Sequence, residues 1–220
     1  MKKSIRNSEI KKSQNKNSSD LYSLKKLYSV KKTEIYQKLE DFQRIWLKGS
    51  DEDIFEELAF CILTPQSKAK VCWKVIERLR LKNLLHSGSS EKIRREIRDV
   101  RFKNKKAAYL IESRSLFSRN GRLCIKSVIG GFKDIRKCRE WLVKNIKGIG
   151  YKEASHFLRN IGFGDNIAIL DRHILKNLKE LNIISYIPKS LSKSQYLKIE
   201  KQMKECVRAE LGDKKLFLIS

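Results

Sequence analysis

From Leu21 onward the apolar residues of this chain recur at close to the helical period of about 3.6 residues. Ser50 followed by Asp51, Glu52 and Asp53 has the form of a capping box, with acids where a helix N-terminus favours them. The helix it starts turns Ile54, Phe55, Leu58 and Ile62 to one side and ends before Pro65, because proline stops a helix. A second helix follows with Cys72, Val75, Ile76 and Leu79 inward. The pattern returns over 151–161 with Ala154, Phe157, Leu158 and Ile161, and over 172–182 with Leu175, Leu178 and Leu181. It returns once more over 194–211 with Tyr196, Ile199, Met203, Cys206 and Leu211. Alternating strand patterns are scarce, and two prolines interrupt the chain. The predicted fold is all-α. Residues 1–20 are polar, rich in Lys, Asn and Ser, and aperiodic, and are expected to form a disordered basic tail before a folded region over 21–220.

Composition adds a partner. At 220 residues the chain has room for one domain or two small lobes around a real core. Fifty Lys and Arg against 25 Asp and Glu give a net charge of +25, which attracts a polyanion such as a nucleic-acid backbone. The competing explanation is compositional drift, since Lys, Ile and Asn are abundant everywhere, as in AT-rich genomes. Five cysteines (Cys61, Cys72, Cys124, Cys138, Cys206) form no CxxC pair and mostly fall inside apolar helical patterns. They read as buried thiols in a reducing compartment, not as disulfides or metal ligands. No apolar run approaches the roughly 18 residues of a membrane span, and the N-terminus has no apolar signal segment. An intracellular protein is expected.

Candidate chemistry concentrates at GIGYK, residues 148–152, between a helical stretch ending WLVKNI and another reading EASHFLRNI. Such a turn is a helix–hairpin–helix. Gly148 and Gly150 permit positive φ and remove side chains that would block close approach. The freed backbone donors at the start of the second helix, with its dipole, suit a phosphate. A short GxG alone is a weak signal, because glycine is common where helices end; the basic charge strengthens it. Tyr151 and Lys152 open the second helix. A lysine in a first turn runs against the dipole preference for acids, and such a break with a local rule marks a functional position. A partly desolvated amine there is favoured in its neutral, nucleophilic form. The plain alternative is a solvated surface lysine. Asp171 lies 19 residues later, in IAILDRHI, with room between for a short helix and a return loop, so both residues can open helices facing one cleft. Asp171 also reads as an ordinary N-cap, and capping is compatible with chemistry.

Taken together, NIKGIGYKEASHFLRNIG and AILDRHI resemble the signature of the helix–hairpin–helix DNA glycosylase superfamily, most of all its archaeal-type 8-oxoguanine DNA glycosylase/lyases. ELAFCILTPQSKA (57–69) and VRFKNKKAAYL (100–110) resemble segments of the same family, so the likeness runs from about Asp51 to about Leu181. It implies two helical subdomains flanking an active-site cleft. It also implies a bifunctional enzyme that excises 8-oxoguanine through a lysine Schiff base and nicks the strand by β-elimination. The matching nucleophile is Lys152, and the matching aspartate, which stabilises oxocarbenium-like charge, is Asp171. The implied partner is double-stranded DNA carrying oxidised guanine or abasic sites, met by a monomer, in the cytoplasm and on the nucleoid, with no cofactor and no metal.

The target base must leave the stack to reach such a site. Phe102 is the candidate stacking face, against an ordinary core phenylalanine, and Gln66 resembles a family position near the lesion or its gap, against simple helix capping. Gly148, Gly150 and Tyr151 are the candidate DNA contacts of the hairpin. Arg101, Lys103, Lys105 and Lys106 are candidate phosphate contacts, against a solvated basic face. His156 and His173 have no third ligand, and His173 reads as support for the Asp171 turn. Two departures from the family stand out. Cys206 alone lies where some relatives carry a four-cysteine iron–sulfur loop, and the chain ends LGDKKLFLIS, without the aromatic-rich tail and terminal lysine used on the oxidised base. Two other readings compete: a related glycosylase for oxidised pyrimidines, and a non-catalytic helix–hairpin–helix protein, which has no use for Lys152 paired with Asp171.

Overall fold

The computed structural model describes residues 2–212, with side chains for 21–210 and Gly212. The tail expected to be disordered, 1–20, and the stretch 213–220 lie outside the described side chains. Among the described residues, eleven helices and one small hairpin follow in order. They are α1 (Lys2–Lys48), α2 (Asp51–Leu63), α3 (Ala69–Leu81), α4 (Leu84–Ser87), α5 (Ser90–Glu96) and α6 (Lys103–Leu116). The strands β1 (Ser118–Arg119) and β2 (Arg122–Leu123) come next. Then come α7 (Ile125–Gly130), α8 (Ile135–Asn145), α9 (Tyr151–Asn160), α10 (Arg172–Glu180) and α11 (Lys193–Leu211). The chain divides into two compact units, one of residues 1–38 and 170–220, the other of residues 39–169.

In the 39–169 unit, α2 is the central helix. Ser50 caps it as the sequence predicts: its Oγ accepts from Asp53 N at 3.2 Å, and Asp53 Oδ2 accepts from Ser50 N at 2.8 Å. All ten residues from Ile54 to Leu63 are then buried, because α3, α6, α7 and α9 pack around the helix. Two carboxylates go in with them. Glu57 is offset by a hydrogen bond from Asn160 Nδ2 at 2.8 Å, and Glu56 by Arg80 at 3.5 Å. The inward sets of α3 and α9 are buried as read from the sequence, including Ile161 just past α9.

One exception to the all-helical expectation is the β1–β2 hairpin, turned by Asn120 (φ +50°) and Gly121 (φ +76°). Asn-Gly is the preferred pair for such a turn, so this signal stood in the sequence unread.

In the other unit, Asp171 caps α10 by accepting from Ile174 N at 2.8 Å. A Ser192/Gln195 capping box starts α11, and Tyr196 Oη, buried, accepts from Leu170 N at 3.2 Å. α10 stops at Glu180, two residues short of the expected end, and Asn182 follows in the left-handed region. Leu181 and Cys206, expected inward, are half-buried.

Candidate active site

α8 closes with Ile146 N donating to Leu142 O at 2.9 Å, and the hairpin follows. Gly148 has φ +85°, and a Cβ there would lie 2.4 Å from Tyr109 Cδ2. Glycine is required on both counts: the conformation, and the ring lying against the backbone. Ile149 is buried and anchors the loop. Lys147 Nζ meets Glu112 Oε2 at 3.0 Å. Tyr109 and Glu112 are three residues apart on α6, so one face of that helix braces the hairpin.

Gly150 is extended, and its N–H donates to Glu153 Oε2 at 3.1 Å. Glu153 therefore takes up one donor that the sequence reading left pointing outward. Tyr151, half-buried, lies under the Arg139 guanidinium at 5.2 Å, and Arg139, wholly buried, donates to Ser155 Oγ at 3.1 Å. Lys152 opens α9 with its side chain 31% exposed, and Nζ stands 3.7 Å from Glu153 Oε1. Cys61 on α2 is wholly buried, which pushes its thiol well up, and it feels the charges of Glu57, Lys152 and Glu153. The amine is thus reachable from solvent on a helix that packs against α2.

A second corner forms where the turn after α2 meets the start of α6. Gln66 (φ +56°) and Phe102 (φ +60°) both sit in the left-handed region, which non-glycine residues seldom enter. Both are exposed, and Phe102 at 50% is no core residue. Arg101 ties the corner together: its backbone N–H donates to Ser67 Oγ at 3.1 Å, and its guanidinium lies over the Phe102 ring at 5.0 Å. Lys103 and Lys105 are exposed in the first turn of α6, which carries no acid.

Lys106 corrects the sequence reading, which placed it among the phosphate contacts. It is 4% exposed and donates to Leu63 O at 2.6 Å, Pro65 O at 2.7 Å and Ser67 Oγ at 3.3 Å. Three ammonium hydrogens meet three acceptors, so it clamps the end of α2 and the Gln66 turn and has no donor left for DNA. Burial lowers its pKa, and nearby Glu153 acts in the opposite sense. α6 therefore holds the Gln66 turn with Lys106 and the hairpin with Tyr109, two contacts the sequence reading missed because tertiary packing makes them.

Lys152, the hairpin glycines, Tyr151, Gln66, Arg101, Phe102, Lys103 and Lys105 all belong to the 39–169 unit, whereas Asp171 opens α10 in the other. His156 packs its ring against Phe60 at 5.8 Å, and His173 is exposed, without the packing expected of a support. All five cysteines are free thiols, and Cys61, Cys72 and Cys138 are buried while Cys124 and Cys206 are half-buried. Among the described residues, no group of three or more His, Cys, Asp or Glu side chains is arranged to hold a metal. No described helix is long and apolar enough to cross a membrane.

Residues 35–210 match the Ogg-HhH family model, 8-oxoguanine DNA glycosylase. An 8-oxoguanine DNA glycosylase/AP lyase of Fusobacterium nucleatum is 48% identical over 165 residues, covering 75% of this chain and 76% of that one. The corresponding protein of Korarchaeum cryptofilum is 41% identical over 174 residues, covering 77% and 79%. Among solved structures, the Methanocaldococcus jannaschii 8-oxoguanine glycosylase/lyase in complex with a 15mer DNA containing 8-oxoguanine superposes with a TM-score of 0.77 at 34% identity, covering 90% of this chain and 94% of that one.

Proposed function

The chain belongs to the 8-oxoguanine DNA glycosylase family, and on that premise we propose that Lys152 performs both chemical steps of a bifunctional glycosylase and AP lyase. The observation that carries this is the placement of its amine. It is partly exposed, in the first turn of α9, directly after a hairpin whose geometry admits only glycine at 148. Neutral Nζ attacks C1′ of the extruded nucleotide, and the bond from C1′ to the base breaks, its electron pair leaving with the base, which takes up a proton. Loss of the amine proton and opening of the sugar ring give an imine between Nζ and C1′. Removal of a C2′ proton then expels the 3′ phosphate, which nicks the strand, and water releases Lys152 from the imine. A water nucleophile cannot form that imine, so the lyase step accounts for a lysine here.

Asp171 supplies negative charge to the oxocarbenium-like transition state and assists in freeing the amine of its proton; family motif and residue type support this role. Phe102 offers a face on which the extruded base stacks, and Gln66 fills or reads the space it leaves. Arg101, Lys103 and Lys105 hold phosphates, supported by their exposure at a helix start without acids, and Gly148, Gly150 and Tyr151 contact the strand at the hairpin. The net charge of +25 supports a double-stranded DNA partner and an intracellular, nucleoid-associated location.

The test is a duplex with a single 8-oxoguanine, analysed with and without hot alkali. The reading expects a nick without alkali that is lost in Lys152→Gln. A nick that appears only after alkali would leave a simple glycosylase and remove the imine. Nicking of an oxidised pyrimidine in place of 8-oxoguanine would move the substrate, and cleavage of neither would leave a DNA-binding module.

A further inference from the structure

Glu153 stands against both the hairpin and the amine that follows it. Its Oε2 accepts from Gly150 N at 3.1 Å, and its Oε1 stands 3.7 Å from Lys152 Nζ. One carboxylate therefore joins the turn to the lysine. A glutamate at the third helical position has an ordinary use, closing a capping box, and the bond to Gly150 serves it. Capping does not account for the second contact, because adjacent residues on a helix seldom face one another. Side-chain exposure is 16% for Glu153 and 31% for Lys152, so the carboxylate is the inner partner and the amine the outer one. A partly buried pair of this kind is screened less than one in open solvent.

We propose that Glu153 is a positioning residue for Lys152: one carboxylate oxygen fixes the hairpin, and the other holds the side chain of Lys152 beside it as an ammonium. The inference rests on Lys152 being the nucleophile. A carboxylate next to an ammonium favours the charged form, and that form cannot attack C1′. The pair thus fixes the place of the amine at the expense of its neutral fraction. Other charged and titratable groups around α9 have contacts of their own. Burial keeps Cys61 of α2 a thiol, Glu57 of α2 accepts from Asn160, Lys106 of α6 donates to three acceptors, and Arg139 of α8 donates to Ser155. His156, one turn along α9 from Lys152, packs on Phe60, and Arg159 lies over the Phe42 ring.

Two substitutions separate the two tasks. Glu153→Gln keeps an acceptor for Gly150 N and removes the charge, whereas Glu153→Ala removes both. The free full-length protein is treated near neutral pH with a limiting amine-acylating reagent, and labelling of Lys152 is read by peptide mass against the exposed Lys105. Glu153→Gln should raise the ratio of Lys152 to Lys105 labelling several-fold; an unchanged ratio would overturn the proposal and leave a capping residue. The second measurement is the pH profile of single-turnover borohydride trapping on an abasic duplex. In Glu153→Gln its acid limb should move to lower pH, with the unfolding midpoint and duplex affinity of the parent, while Glu153→Ala also lowers the midpoint. His156 is present in every protein compared, so a shift between them reads Glu153. Superposed profiles for the parent and Glu153→Gln would overturn the proposal too. A parent that forms no adduct would remove Lys152 as nucleophile, whereas the labelling needs no DNA and judges the ion pair by itself.

Discussion

The ring of Tyr109 occupies the space that a side chain at residue 148 would need, with Cδ2 at 2.4 Å from the position of a Cβ. Hairpin and α6 are therefore fitted to one another. Gly148→Ala meets a left-handed φ, costing about 1–2 kcal/mol, and a ring contact on top of it. Denaturant unfolding should show a loss above that figure, and Tyr109→Leu in the same chain should restore the contact part and leave the backbone part. A Gly148→Ala protein as stable as the parent would mean that the ring yields freely.

Lys105 and Lys106 are neighbours with opposite predicted effects. Lys106→Met strips the half-buried Pro65 carbonyl of its donor and leaves Leu63 O with only the weak Cys72 thiol at 3.3 Å, at a total of about 1–3 kcal/mol, so its defect appears in unfolding. Lys105→Met, on the exposed face, should leave stability within about 0.5 kcal/mol and reduce the salt slope of DNA binding by about 1. Equal stability losses in the two would contradict the clamp.

Exposure separates binding from folding at Phe102 as well. Half its surface is open, so Phe102→Ala should change unfolding by no more than about 0.5 kcal/mol. Losing a base-stacking face worth about 1–3 kcal/mol should lower kcat/KM on an 8-oxoguanine duplex roughly 5- to 150-fold. A large stability loss with unchanged kcat/KM would make it a structural residue.

Much of this arrangement was legible in the sequence. Ser50 and Asp171 are caps because a short polar side chain before an apolar period has one geometry available, and local rules read it. The buried faces of α3 and α9 followed from period alone, whereas for α2 the period marked one side, Ile54, Phe55, Leu58 and Ile62, and the helices packed around it bury all of 54–63. Lys106 did not: as one of four nearby cations it looks like its neighbours, and only the arrival of α6 at the end of α2 buries it. The same holds for Tyr109, whose target at Gly148 is 39 residues away and invisible to any local window. The exposed, strained Phe102 was open between core and site, because sequence does not reveal a left-handed φ at phenylalanine.

Cys138 gives a pH dependence with a definite sign. Burial pushes its thiol from 9.0 up to about 12. The folded value is raised, so its contribution to stability is fully present below about pH 9 and is lost as pH climbs toward 12, by about 1.4 kcal/mol per unit in that window. Cys138→Ala should show a shallower alkaline loss than the parent in denaturant titrations across the window. Parallel losses would contradict the buried, protonated thiol.

The central claim is a covalent bond between Lys152 and DNA, and borohydride trapping tests it most directly. A duplex with one 8-oxoguanine is incubated with the protein and borohydride, beside an undamaged duplex, an abasic duplex and the Lys152→Gln protein. The predicted result is a stable adduct on the 8-oxoguanine and abasic duplexes, none on undamaged DNA, and none with a folded Lys152→Gln. An adduct of undiminished yield in Lys152→Gln, or no adduct on either lesion, would contradict the account.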